Sequence, residues 1–319
     1  MNDSQLKKSK VKRSRKKLAY KIFFAFIFAN LVLLLYVLIR IDVNLNSHPK
    51  AITLKTLSFT PIPPAAYPKL INISPPDISA QAAIIMDSDS KTILYYKNQN
   101  QTFPMASSTK IMTALVSLSH YNLNDILVDE TYPVEGSIAG LTLGEKMTFR
   151  NALYGLLLPS GNDVAVMLAQ NYPGGMDSFI SQMNQTAASL HMDNTTYIDV
   201  DGLSEQNTSS VYDLAILASK AMSNPVFRQV VGTKNITITD VTGSEKHSLT
   251  NLNKLLGEDG VNGIKTGFTD EAEGVLVTSK VEKGHNFIIV VLKSQDRFLD
   301  TEKLINLINN NVAFINLHP

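Results

Sequence analysis

The hydrophobic pattern begins with one unbroken block, IFFAFIFANLVLLLYVLI, in which Asn30 is the only polar residue between Lys21 and Arg40. Eighteen such residues, Ile22 to Ile39, match a helix that crosses a bilayer. Residues 41–80 then lose helical periodicity and gather seven of the thirteen prolines, which predicts a semi-extended stalk. From residue 81 the character changes. AAIIMD (82–87) and TILYYK (92–97), divided by a polar turn at Ser88 to Lys91, read as a hairpin at a sheet edge. A helix is expected from about residue 107 to His120, and NALYGLLL, DVAVMLAQ, MDSFISQMNQTAASL and VYDLAILASKAM repeat apolar residues at helical spacing. Beyond residue 234 β-branched runs return in NITITD, around KHSLTNL, and in IKT, GVLVTSKV and NFIIVVL, before a last helix over about 296–312. This order predicts an α+β body over 81–319, with a mixed sheet covered by helices and an α-rich lobe inserted at approximately 123–230. A cleft is expected where the two lobes meet.

Charge sharpens the reading of the apolar block. The formal net charge of +1 conceals nine basic residues before residue 22, where Asp3 is the only acid; the remainder carries 20 basic and 27 acidic residues, a net −7. An acidic body argues against nucleic acid as a partner. A basic tail over 1–21 followed by an apolar run over 22–40 predicts a single-pass signal-anchor in the cytoplasmic membrane, with the body on the extracytoplasmic side. The run exceeds a usual leader core and IRIDVNLNS has no small-x-small cleavage site, so a retained anchor is favoured over a cleaved leader. The chain of 319 residues is 44% apolar and 18% charged, enough for a packed core. It has no cysteine, which excludes disulfides, thiol catalysis and thiolate metal sites. Its six histidines show no H-E-x-x-H or other ligand spacing, so neither a metal nor a cofactor is expected, and none is marked out for a Ser-His-Asp triad.

The candidate chemistry lies in MASSTKIMTAL (105–115). Ser107 and Lys110, three residues apart, share a helical face, so an amine can reach the hydroxyl and activate it as a nucleophile. Ser-x-x-Lys alone says little, because it occurs six times: at Ser4/Lys7, Ser9/Lys12, Ser14/Lys17, Ser47/Lys50, Ser88/Lys91 and Ser107/Lys110. Three copies sit in the basic tail, one in the stalk and one in the hairpin turn; only Ser107 opens an apolar helix after a sheet. Two further triplets follow. PSGND places Ser160 and Asn162 in a turn between helices, and NGIKTGFTDEA places Lys265, Thr266 and Gly267 on a strand, where glycine admits close approach of a ligand. Singly each is ordinary turn or edge-strand chemistry.

Together, S-x-x-K, S-x-N and K-T-G in this order resemble the low-molecular-mass penicillin-binding D-alanyl-D-alanine carboxypeptidases, serine peptidases related to class A β-lactamases. The likeness extends through AAIIMDSDSKTILYYKNQNQTFPMASSTKIMTAL, LTLGEKMTFRNALYGLLLPSGNDVAVMLA and TNLNKLLGEDGVNGIKTGFTDEA, roughly residues 80 to 305. It implies the β-lactamase-like transpeptidase fold, an antiparallel sheet flanked by helices with an inserted all-α lobe. It also implies a peptidoglycan stem peptide as substrate and β-lactams as inhibitors. By the resemblance Ser107 is the nucleophile, Lys110 its base and Ser160 a proton relay. Asn162 would hold the lysine and a substrate peptide group, Lys265 and Thr266 the terminal carboxylate, and the backbone N–H groups of Ser107 and Phe268 the oxyanion. A nearby Lys265 ammonium is expected to help depress the pKa of Lys110.

Three departures stand out. NTSSVYD carries Asn207 where the family usually has histidine, and Ala272-Glu273 replaces the more usual Ala-Gly. The family often adds a second β-rich domain and a C-terminal anchor, whereas this chain ends soon after the last predicted helix. No E-x-x-L-N segment lies between 163 and 230, so the deacylating glutamate of class A β-lactamases is missing and slow deacylation is expected. DD-endopeptidase or transpeptidase action uses the same atoms and stays open. A non-catalytic, membrane-tethered wall-binding or penicillin-sensing protein is disfavoured by the intact triplets.

Overall fold

The computed structural model describes residues 20–21, 23–40, 66–71, 74–130, 134–309 and 311–316. The Ser-x-x-Lys pairs at Ser4, Ser9, Ser14 and Ser47, nearly all of the basic tail, and the stalk up to residue 65 lie outside them. The chain divides into two units, Met1–Ile62 and Pro63–Pro319. In the first, helix α1 (Phe23–Arg40) has a mean hydropathy of 2.3, long and apolar enough to cross a membrane by length and composition. Its interior amide is satisfied locally, since Asn30 Nδ2 donates to the Phe26 carbonyl at 2.8 Å.

The second unit begins with β1 (Ala66–Leu70), β2 (Ala82–Asp87), β3 (Ile93–Lys97) and β4 (Phe103–Pro104), then a 3-10 turn (Ala106–Ser108) and α2 (Thr109–His120). The lobe that follows holds β5 (Ile126–Val128), β6 (Lys146–Thr148), α3 (Phe149–Leu157), α4 (Asn162–Gln170), α5 (Gly175–Ser189), β7 (Thr208–Ser209), α6 (Val211–Met222) and α7 (Pro225–Val231). The chain returns through β8 (Asn235–Thr239), β9 (Lys246–Thr250), β10 (Val261–Thr269), β11 (Glu273–Glu282) and β12 (His285–Ser294), and ends with α8 (Arg297–Ile308) and β13 (Val312–Asn316).

The main sheet has the order β10-β11-β12-β2-β3, and every neighbouring pair is antiparallel rather than mixed. Short turns join β10 to β11 and β11 to β12, and such turns connect only antiparallel neighbours. The central strands are continuous apolar runs because both faces are covered. Ile84, Met86, Ile288 and Val290 enter the core shared with α2 and α6, while Ile85, Phe287 and Ile289 enter a second core with Leu304 and Ile308 of α8. The two-residue side-chain period of a strand makes that division.

Three elements differ from the sequence-based expectation. Residues 66–70, expected as stalk, pair with β13, from Ala66↔Asn316 to Leu70↔Val312, so a strand follows the last helix and closes on the start of the unit. Helix α7 is too short for periodicity to reveal; it is set by Asn224, whose side chain accepts from Val226 N and Phe227 N, and by Pro225 at its first position. The entry to β2 is fastened to α8 by buried Asp300, which accepts hydrogen bonds from Ser79 N (3.0 Å), Ala80 N (2.7 Å) and the hydroxyls of Ser79 and Ser294 (both 2.6 Å).

Candidate active site

Ser107 lies in the 3-10 turn, half-buried, directly ahead of α2. The turn is tightly specified. Ala106 adopts a left-handed φ of 45°, and Met105 N donates to the Asn207 carbonyl at 3.0 Å. Gly202, itself at φ +85°, packs so closely that a Cβ there would fall 2.0 Å from the Ala106 carbonyl oxygen. On the other side a Cβ on Gly267 would sit 3.1 Å from Ala106 Cβ, 3.2 Å from Ser107 N and 3.3 Å from Val275 Cβ. The missing side chain of the K-T-G glycine therefore makes room for the Ser107 turn. Gly267→Ala is expected to destabilise the unit by about 1–3 kcal/mol through overpacking, read as a lowered midpoint of thermal unfolding.

Lys110, in the first turn of α2, is fully buried. Its Nζ lies 3.2 Å from Ser107 Oγ, 2.6 Å from Asn162 Oδ1 and 2.6 Å from the Asp201 carbonyl oxygen. An ammonium has three donors and would fill all three contacts; a neutral amine has two. With its two N–H groups on the closer acceptors, Asn162 and Asp201, the amine's lone pair faces Ser107 Oγ. Burial pushes the Lys110 pKa down from 10.5 to about 8, against the opposing pull of Asp201, Asp199 and Asp163.

Asn162 cannot turn its amide round. Its Nδ2 donates to the Glu135 carbonyl at 2.6 Å and its backbone N donates to the Ser137 carbonyl at 2.7 Å. The neighbouring Asp163 carboxylate accepts from the backbone N of Ala139 (2.9 Å), Gly140 (2.8 Å) and Leu141 (3.1 Å), so α4 and the loop leading to β6 are fixed to each other. Ser160, in the tight turn before α4, has a left-handed φ of 69° and a buried Oγ with no hydrogen-bond partner among the described residues. Backbone strain and an orphaned buried hydroxyl in one residue are a signature of functional sites.

On β10, Lys265 and Thr266 are buried and Phe268 is 62% exposed. Lys265 Nζ donates to the Thr266 carbonyl at 2.9 Å. Its pKa lies well below 10.5, first through burial and then through the charges of Lys110 and Arg297. Burial is the leading cause of the lowered pKa of both lysines, and the repulsion between their two ammonium groups acts on both in the same direction. Arg297 is a site residue that the sequence reading missed. It opens α8, its Nε has no partner among the described residues, and its Cζ lies 5.9 Å from the Phe268 ring centroid and 5.0 Å from that of Phe298. Lys110, Lys265 and Arg297 have no carboxylate within ion-pair distance among the described residues. Glu273, the departure after K-T-G, lies 3.7 Å from Lys293 on the neighbouring strand, a partly exposed pair of small energetic weight.

A family model described as D-alanyl-D-alanine carboxypeptidase, Peptidase S11, matches residues 70–296. A D-alanyl-D-alanine carboxypeptidase of Streptomyces sp. (strain K15) is 37% identical over 257 residues, covering 73% of this chain and 88% of its own. A D-alanyl-D-alanine endopeptidase of Pseudomonas aeruginosa is 33% identical over 207 residues, covering 63% of this chain and 67% of its own. The crystal structure of the Streptomyces K15 DD-transpeptidase matches with a TM-score of 0.70 at 37% identity, covering 74% of this chain and 98% of that one.

Proposed function

Since this chain belongs to the D-alanyl-D-alanine carboxypeptidase family of serine peptidases, we propose that it removes the terminal D-alanine from peptidoglycan pentapeptide stems through an acyl-enzyme on Ser107, and that penicillins acylate the same oxygen. The observation that carries this reading is the buried Lys110 amine, held by Asn162 and Asp201 and directed at Ser107 Oγ. In this reading the uncharged amine takes the hydroxyl proton as Oγ bonds to the carbonyl carbon between the two D-alanines. The oxyanion is met by the backbone N–H groups of Ser107 and Phe268. Collapse breaks the C–N bond, and a proton passed from Lys110 through Ser160 leaves with the amine of free D-alanine. Water then attacks the ester and restores Ser107.

Carboxylate recognition follows from charge. Lys265 and Arg297 have no carboxylate within ion-pair distance among the described residues, so a terminal carboxylate at Lys265 and Thr266 supplies that charge and raises the Lys265 pKa again. The basic tail and α1 support a further part of the proposal: the chain is anchored in the cytoplasmic membrane by its N-terminal helix, with residues 63–319 outside.

The test uses the full chain in detergent micelles with two substrates, a stem pentapeptide ending in D-Ala-D-Ala and a cross-linked stem dimer. Released D-alanine from the pentapeptide, together with a long-lived covalent penicillin adduct, is the expected result. Dimer cleavage without D-alanine release would reassign the chain to endopeptidases. Rapid turnover of penicillin would make it a β-lactamase, and no covalent adduct at all would remove the enzymatic reading.

A further inference from the structure

Behind Lys110 lies a polar cage that the three motifs do not include. Asn207 is fully buried at its centre. Its Oδ1 accepts from the backbone N of Ile198 (2.7 Å) and of Asp199 (3.2 Å). Its Nδ2 donates to Asp199 Oδ1 (2.6 Å), Thr109 Oγ1 (3.2 Å) and the Asp199 carbonyl (3.3 Å). The Asp199 carboxylate in turn gathers the loop that follows, accepting from Gly202 N (2.7 Å), Asp201 N (3.2 Å) and Ser204 N (2.7 Å). Residue 201, in the middle of this wrapped segment, presents its carbonyl to Lys110 Nζ at 2.6 Å.

The cage is also registered against the helix that carries Lys110. Thr109 Oγ1 receives the Asn207 amide, and Thr113 Oγ1 donates to the Val200 carbonyl at 2.6 Å. These two threonines flank Lys110, so the acceptor and the amine it holds are set by one piece of helix. An amide is well suited to the centre: one oxygen takes two backbone N–H groups while two N–H donors reach a carboxylate and a hydroxyl. A neutral imidazole, with one donor and one acceptor, cannot make that set.

We propose that Asn207 is a positioning residue: by holding Asp199 it fixes the Asp201 carbonyl on Lys110 Nζ, and this fixes the direction of the amine's lone pair toward Ser107. The inference rests on the acyl-enzyme reading above. Losing the Asp201 acceptor leaves the amine anchored by Asn162 alone and free to swing, and misplacement of a reacting group by about 1 Å can cost on the order of a hundredfold in rate. The charged groups bearing on Lys110 are Asp163, Asp199, Asp201 and Lys265; Asp199 and Asp201 accept backbone N–H groups of the wrapped segment, from Gly202 and Leu203 among others, whereas Asp163 is held separately by the loop before β6.

The decisive variant is Asn207→Asp, nearly isosteric, which keeps the acceptor, removes the donor and sets a second carboxylate against Asp199. Asn207→Ala and the milder Thr113→Val, which deletes the Val200 anchor and a longer 3.4 Å contact to the Thr109 carbonyl of the same helix, accompany it. The full chain in detergent is acylated by a chromogenic cephalosporin across a pH series, and the rate is expressed per active site, titrated as covalent adduct by mass spectrometry. The expected result is a rate per site on the order of tenfold to a hundredfold lower for both Asn207 variants, a smaller loss for Thr113→Val, and a displaced acid limb. A structural role alone would reduce the number of titratable sites and leave rate per site and pH profile at wild-type values, which would overturn the proposal. If the Asn207 variants do not fold, Thr113→Val decides by the same readout. A wild-type chain that is never acylated would instead refute the acyl-enzyme reading on which the proposal stands.

Discussion

Ser107→Ala is expected to abolish the penicillin adduct and to lower D-alanine release by about 10⁶-fold, into the background, as loss of a serine peptidase nucleophile does. The substitution is conservative in every other respect. Ser107 is half-buried, its turn is held by Gly202, Gly267 and the Met105–Asn207 backbone contact, and each of these survives removal of one oxygen. The positive charges of Lys265 and Arg297 are also unchanged, so non-covalent binding of a peptide ending in D-Ala-D-Ala should persist while chemistry stops. Intact-mass measurement after incubation with penicillin, beside equilibrium binding of the peptide, separates the two effects. A mass shift that persists in the alanine variant would place the nucleophile elsewhere, and Ser160, whose buried hydroxyl has no hydrogen-bond partner among the described residues, would be the first oxygen to suspect.

What could be read from the sequence, and what could not, divides by the range of the interaction. Ser107 and Lys110 are three residues apart on one helix, and helical geometry alone brings them together. The runs AAIIMD and NFIIVVL were legible as strands, whereas their coverage on both faces was not: β2 lies inside the sheet beside β12, and the structure places the alternate residues of both strands in two cores. The triplets at 160–162 and 265–267 were legible as residue types in an order that a known family shares. The third partner of Lys110 was not, because a backbone carbonyl carries no residue signature: Asp201 contributes its main chain to the amine, and nothing in its side chain announces that. Arg297 was hidden because two whole strands separate it from Lys265, and only the packing of α8 against the sheet brings the charges near each other. Asn207 was visible only as a departure from a pattern, whereas its consequence lies in hydrogen bonds to residues 198, 199 and 109 that spacing cannot supply. The pairing of β1 with β13 joins opposite ends of the unit and leaves no local trace in either segment.

The second large effect concerns Lys110. Replacing it by methionine, which fills similar volume without a base, is expected to slow acylation by roughly 10²–10⁴-fold, the range of a general base. The wild-type rate should rise with pH through about 8, because burial has brought the Lys110 pKa down to about 8 and only the uncharged amine can accept the Ser107 proton. The sign follows from the charge state. Above that pH most molecules carry a free amine and the rate levels off; below it the reactive fraction falls tenfold per pH unit, so the rate near pH 6 should be on the order of a hundredfold under the plateau. Lys265 is also buried with a lowered pKa, so the limb alone does not name its owner, but the Met variant does: its residual rate should lose the rise near pH 8. Lys110→Arg completes the argument. It keeps a positive charge and hydrogen-bond donors for Asn162 and Asp201, yet a guanidinium does not give up its proton, so the variant should be as slow as the Met one. An Arg variant that acylates at the wild-type rate, or a wild-type profile that stays flat through pH 8, would show that charge rather than basicity is what position 110 supplies.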